Sequence, residues 1–153
     1  MRLKTGPDAL ANLAGFRWRA PRCSRGLCHV SSDSSRTGAG AILNQDNSLN
    51  SAANPAPSGT VVQLFGTGSG ALSGGVTDGQ IISVPLPQLM ASVTATIGGL
   101  PAKVNYAGPA PSLIAGVMQV NLEVPMGLAA GPQAVLLKVG GASTQTGLTV
   151  AVK

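Results

Sequence analysis

Short stretches in which apolar and polar residues alternate, each closed by Gly or Pro, organise the chain beyond residue 59. Alternation at period two marks a strand with one buried face and one wet face. Residues 60–65 form a β-branched run entered from Pro57, Ser58 and Gly59 and left through Gly66 and Gly68, so the first strand is expected there. Val93, Ala95 and Ile97 alternate with Ser92, Thr94 and Thr96. Gly98-Gly99 then supplies the positive φ of a tight hairpin leading into a strand over 102–106. From 117 to 124, Met118, Val120, Leu122 and Val124 alternate strictly with Gln119, Asn121 and Glu123, which predicts an apolar core face and a polar solvent face. Residues 134–139 and 147–152 read as a closing hairpin through Gly140-Gly141, with Val135, Leu137 and Val139 meeting Leu148, Val150 and Val152. With 80–84 added, about seven short strands favour an all-β, antiparallel two-sheet sandwich over any α/β arrangement.

Composition agrees with that reading. The 153 residues fit one domain, and 21 glycines and 11 prolines with only 10% charged residues leave little room for long amphipathic helices. Charge changes the picture through its placement. Seven of the ten Lys and Arg lie in residues 1–36, whereas over 37–153 three lysines balance Asp46, Asp78 and Glu123. The chain is therefore expected to divide into a basic, poorly ordered extension over 1–31 and a neutral sandwich over 32–153. Residues 1–29 do not read as a signal peptide, because the apolar stretch 9–14 is interrupted by Asn12 and followed by Arg17 and Arg19. No segment reaches the roughly 18 apolar residues of a transmembrane helix. Nucleic-acid or other polyanion binding by the arm is weakened by the single Trp and single Phe among its charges and by the lack of any nucleic-acid module signature. Cys23, Cys28 and His29 make neither a redox pair nor a complete zinc set.

Several segments together carry a family resemblance. Residues 41–55, from Ala41 through Asn44, Asp46 and Asn50 to Pro55, are succeeded by 59–70, 97–104, Tyr106-Ala107-Gly108 and 119–125. These closely resemble the Solibacter-type C-terminal domain, over a span from about Ser32 to Lys153. That family comprises immunoglobulin-like modules found at the ends of large exported acidobacterial proteins, often after propellers or other extracellular repeats. The resemblance implies an immunoglobulin-like fold and an extracellular or cell-surface location, and it brings no catalytic residues with it.

Candidate chemistry is sparse. Residues 66–71 match a Gly-rich dinucleotide fingerprint in form, but Leu72, Ser73, Gly74 and Gly75 cannot open the helix that would receive a pyrophosphate. Ser73 among small residues imitates a nucleophile elbow, yet that arrangement needs a later His, and His29 lies upstream. One constellation remains. Asn44, Asp46, Ser48 and Asn50 place oxygen-bearing side chains at alternate positions, with Asn54 beyond them, in the rhythm of the first half of a calcium loop. Leu49 stands where an EF-hand needs Gly, and Pro55 where it needs Glu. An Asx-rich turn that caps its own backbone produces the same pattern.

These residues support two functional readings. In the first, the chain is a non-catalytic extracellular accessory domain that contacts other exported or cell-surface proteins. In the second, Ca²⁺ held by Asn44, Asp46, Ser48 and Asn50 polarises an ester or lactone carbonyl while Asp46 or Asp78 activates water. The substrate would be a small amphipathic ligand, such as an acyl lactone, lying on an apolar sheet face. Stacked carbohydrate binding is disfavoured by the scarcity of aromatics, since Phe65 and Tyr106 stand alone in the module.

Overall fold

The computed structural model of the chain describes residues 37–77 and 79–153, together with the backbone of residues 28–29. Eleven strands and no helix occur among the described residues. Seven strands have three residues or more: β4 (Val61–Thr67), β5 (Val93–Ile97), β6 (Leu100–Ala102), β7 (Val104–Pro109), β8 (Val117–Glu123), β9 (Gly131–Val139) and β11 (Leu148–Val152). The other four, β1 (Cys28–His29), β2 (Gly38–Ala39), β3 (Ile42–Leu43) and β10 (Ala142–Ser143), are two-residue pieces.

One sheet runs β1, β4, β8, β7, with β3 also on β4. The other runs β2, β11, β9, β5, β6, with β10 also on β9. Every strand pair is antiparallel except β2 with β11. The fold is an open, immunoglobulin-like two-sheet sandwich. Its core lies between the inner faces: Val62, Leu64, Val120 and Leu122 from the first sheet pack with Ile97, Leu137, Val150 and Val152 from the second. Each such side chain contributes roughly 1.5–3 kcal/mol by leaving water.

The expected strands at 60–65, 92–97, 117–124, 134–139 and 147–152 are all present within a few residues, and four expectations need correction. Residues 80–84 form no strand. Only Ile81 bridges to Ile114, flanked by the Ile82 N–H donating to Leu113 O (2.9 Å) and the Ala115 N–H to Gln80 O (2.7 Å). Pro85 and Pro87, which lack N–H donors, prevent a longer ladder. The single strand expected over 102–106 is two strands. Ala102 pairs with Ala95 in one sheet and Val104 with Leu122 in the other, so the chain changes sheets at Lys103.

The closing hairpin is also divided. Gly140-Gly141 turns β9 into β10, while β11 pairs with the opposite half of β9, as in Thr149 with Ala134. Between them the Leu137 N–H donates to the Thr144 hydroxyl (3.1 Å), so a side chain bridges the break in the ladder. Finally, the polar face expected of β8 is covered. Gln119 and Asn121 are buried, Asn121 to 3% exposure, and the Gln119 amide donates to Gln63 Oε1 (3.3 Å) and Asn121 Oδ1 (2.9 Å). Mutual pairing makes their burial tolerable. The basic arm over 1–31 lies outside the described residues except for Cys28–His29, whose backbone pairs with Gly66 and Thr67 on the edge of β4.

Candidate functional site

Strand directions sort the loops onto two ends of the sandwich. Ala56 bridges to Val152, and the Ser58 N–H donates to Lys153 O (3.2 Å). The 44–60 segment, the start of β9 and the end of β11 therefore share one end. At the opposite end β4 finishes, β5 begins and β9 turns into β10, and residues 68–92 and 110–116 lie there.

The first end holds the predicted calcium residues. Asn44, Asp46, Ser48 and Asn50 do come together, through bonds to one another and to the backbone. Ser48 donates its N–H (3.0 Å) and its hydroxyl to Asp46 Oδ1. The Asn50 amide donates to Asn44 Oδ1 and to Ala151 O, both at 2.9 Å, and Asn50 Oδ1 accepts from the Ala151 N–H (2.8 Å). Asn54 donates to Ser48 Oγ (2.8 Å) and Leu49 O (3.0 Å), and Asn44 donates to Asn54 O (3.1 Å). Gln45 Oε1 accepts from the Val61 N–H (3.1 Å), while Asn47 Oδ1 accepts from the buried Gln63 amide (2.7 Å). The short Asx side chains reach nearby backbone and fold the loop around themselves.

Most oxygens that could ligate a cation already accept hydrogen bonds. Ca²⁺ takes six to eight oxygens, and of the four predicted residues' side-chain oxygens only Asp46 Oδ2 is without such a bond among the described residues. The bonds from Ser48, its hydroxyl first, hold the Asp46 carboxyl below the usual carboxylate range. A carboxylate so stabilised is a weak general base. No group of three or more His, Cys, Asp or Glu side chains suited to a metal occurs among the described residues. Asp78, the alternative base, lies outside the described residues.

Beside this loop opens a groove of about 400 Å³ whose lining includes Gln45, Asp46, Asn54, Pro55, Pro57 and Lys153. Sequence reasoning passed over Gln45, Pro57 and Lys153. Gln45 interrupts the Asx rhythm that drew attention to its neighbours, and Lys153 reaches the groove only because β11 ends there.

The opposite end is apolar. Ile81 is 58% exposed and its bridge partner Ile114 51%, and Val84 and Met90 in the same connection are exposed too. Beneath them Phe65, Leu43 and Ala110 make a small second core with Leu113 and Val117 on the outer face of the first sheet. Apart from Asp78, residues 68–92 and 110–116 contain no charged side chain. Nearby, the Tyr106 hydroxyl donates to Pro109 O (2.7 Å), and burial pushes its pKa up.

Fold and loops together define an immunoglobulin-like β-sandwich with a hydrogen-bonded Asx loop at one end, where Leu49 and Met126 are also exposed, and Ile81, Val84, Met90 and Ile114 exposed at the other. No family model, no curated protein and no solved structure matches the chain.

Proposed function

We propose that the chain is a non-catalytic accessory domain that works outside the cell and binds another exported or cell-surface protein through its apolar end. The observation that carries this reading is the exposed Ile81–Ile114 pair, in a connection where Val84 and Met90 are exposed too and Asp78 is the one charged residue. Clustered exposed apolar side chains mark interaction sites more often than scattered ones do. Contact through a sheet edge has less support, because Pro101 interrupts β6, a bulge separates Val104 from Tyr106 in β7, and the strands on the other edges have two residues each. The resemblance to Solibacter-type modules supports the location and the accessory role.

The test is a photo-crosslinking residue placed at Ile81 in the producing organism. Crosslinking to one exported or cell-surface protein, lost in Ile114→Lys, is the expected result. A cytoplasmic partner or no specific adduct would sink the reading. The competing reading, calcium-dependent ester or lactone hydrolysis, has weaker footing because Asp46 is a weak base and its neighbours' oxygens are occupied. Chelator-sensitive turnover abolished by Asp46→Ala would restore it. Polyanion binding falls on the arm, outside the described residues save the backbone of Cys28–His29, and a steep salt dependence lost on deleting residues 1–30 is its signature.

A further inference from the structure

We propose that the groove beside the 44–54 loop binds a neutral saccharide, one or two pyranose rings at a time. Its volume of about 400 Å³ falls within the roughly 300–1,000 Å³ of small-molecule sites. Pro55 and Pro57 contribute ring surfaces that carry C–H groups and no donor, a platform on which the apolar face of a pyranose can leave water. A search for aromatic residues overlooks such a platform.

The polar part of the lining is fixed before any ligand arrives. Of the lining residues, Asn44 and Asn54 are tied to each other and to the loop behind them through Ser48 and Asn50, which do not line the groove, so little ordering of these two is required on binding. After these internal bonds, four groups on lining residues have no partner among the described residues. Asp46 Oδ2 and Asn54 Oδ1 are acceptors; Gln45 Nε2 and Lys153 Nζ are donors. Hydroxyl groups donate and accept at once, so a sugar satisfies both kinds together. The Asp46 and Lys153 side chains bring one carboxylate and one ammonium to the lining, so neither sign dominates among its side chains.

The groove lies at the opposite end from Ile81 and Ile114, so saccharide binding and the protein-partner reading can fail separately. The experiment titrates the full ¹⁵N-labelled chain with cellotriose, maltotriose, mannotriose and diacetylchitobiose, following backbone amide shifts. Saturable shifts at Gln45, Asp46, Asn54 and Lys153 with at least one sugar, at millimolar affinity, are expected. Asp46→Asn retains the Oδ1 that accepts from Ser48 while replacing the free oxygen. It should weaken binding about tenfold, as should Lys153→Ala, without changing the remaining amide positions. The proposal is overturned if none of the four sugars gives saturable shifts in the groove, or if both variants bind as the parent does. It is equally overturned if the groove responds to Ca²⁺ alone.

Discussion

The two ends of the sandwich are both poor in charge, yet they are built in opposite ways. Residues 44–54 contain four asparagines and one aspartate, while 68–92 contain no asparagine and only Asp78. The first segment is tied by side chain to its own backbone, to β4 through Gln45 and Asn47, and to β11 through Asn50. The second is held by scattered contacts, such as the Ser73 N–H to Gln88 O (2.9 Å) and the Met90 N–H to Ala71 O (3.2 Å). Glycine permits a turn; asparagine permits a turn and then fills its hydrogen-bonding capacity. One end is thus a rigid polar wall. At the other, Ile81, Val84 and Met90 remain in solvent because little is there to cover them.

Substitutions can break that contrast. The largest effect is expected from Asn50→Ala, since Asn50 is only 5% exposed and the loss strands Asn44 Oδ1 and the Ala151 N–H and takes one of two bonds from Ala151 O, which keeps the Ala56 N–H. The cost should be roughly 3 kcal/mol, from three lost bonds and buried groups left unpaired, read by urea denaturation. A cost below half of that would mean the loop does not anchor its end.

Glycines extend the comparison. Gly98 has φ +57°, and an added Cβ would stand 2.5 Å from both Gln133 Oε1 and Leu128 Cδ2. Gly74, in the 68–92 connection, has φ +81° and no atom within 4 Å of the same position. Gly74→Ala should cost only the left-handed backbone, roughly 1–2 kcal/mol, and Gly98→Ala measurably more by the same denaturation assay. Equal costs would show that Gln133 and Leu128 move aside freely. At the apolar end, Ile81→Ser and Ile114→Ser should each alter stability by less than about 0.5 kcal/mol, although the protein-partner reading requires them to weaken association.

The smallest expected effect is pH-dependent. The carboxyl of Asp46 titrates below its ordinary 3.8 in the folded chain because Ser48 bonds its charged form. Its contribution is present above pH 3.8 and is lost as pH falls through the lower folded value. Asp46→Asn should therefore flatten the acid limb of stability against pH and lower neutral stability only by that small contribution. An unaltered acid limb would separate Asp46 from the loop's integrity.

Local pattern was enough for the faces of the strands. The alternate apolar positions of β8 and Leu148, Val150 and Val152 are all buried, as their alternation requires. The alternation of side chains between two faces is a property of each strand's own backbone and can be read residue by residue, although in β4 and β8 both faces are buried. The Asx character of 44–54 was equally legible, because those side chains bond partners a few positions away. Pairing across distance was not. The register of β11 on β9, the sheet change at Lys103, the bond from Gln119 to Gln63, and the bonds from Asn50 to Ala151 all join residues far apart in the chain. So does the meeting of Asp46, Pro57 and Lys153 around one groove. Packing selects such partners from many locally equivalent strands and loops, and no short stretch of sequence contains the information to make that selection.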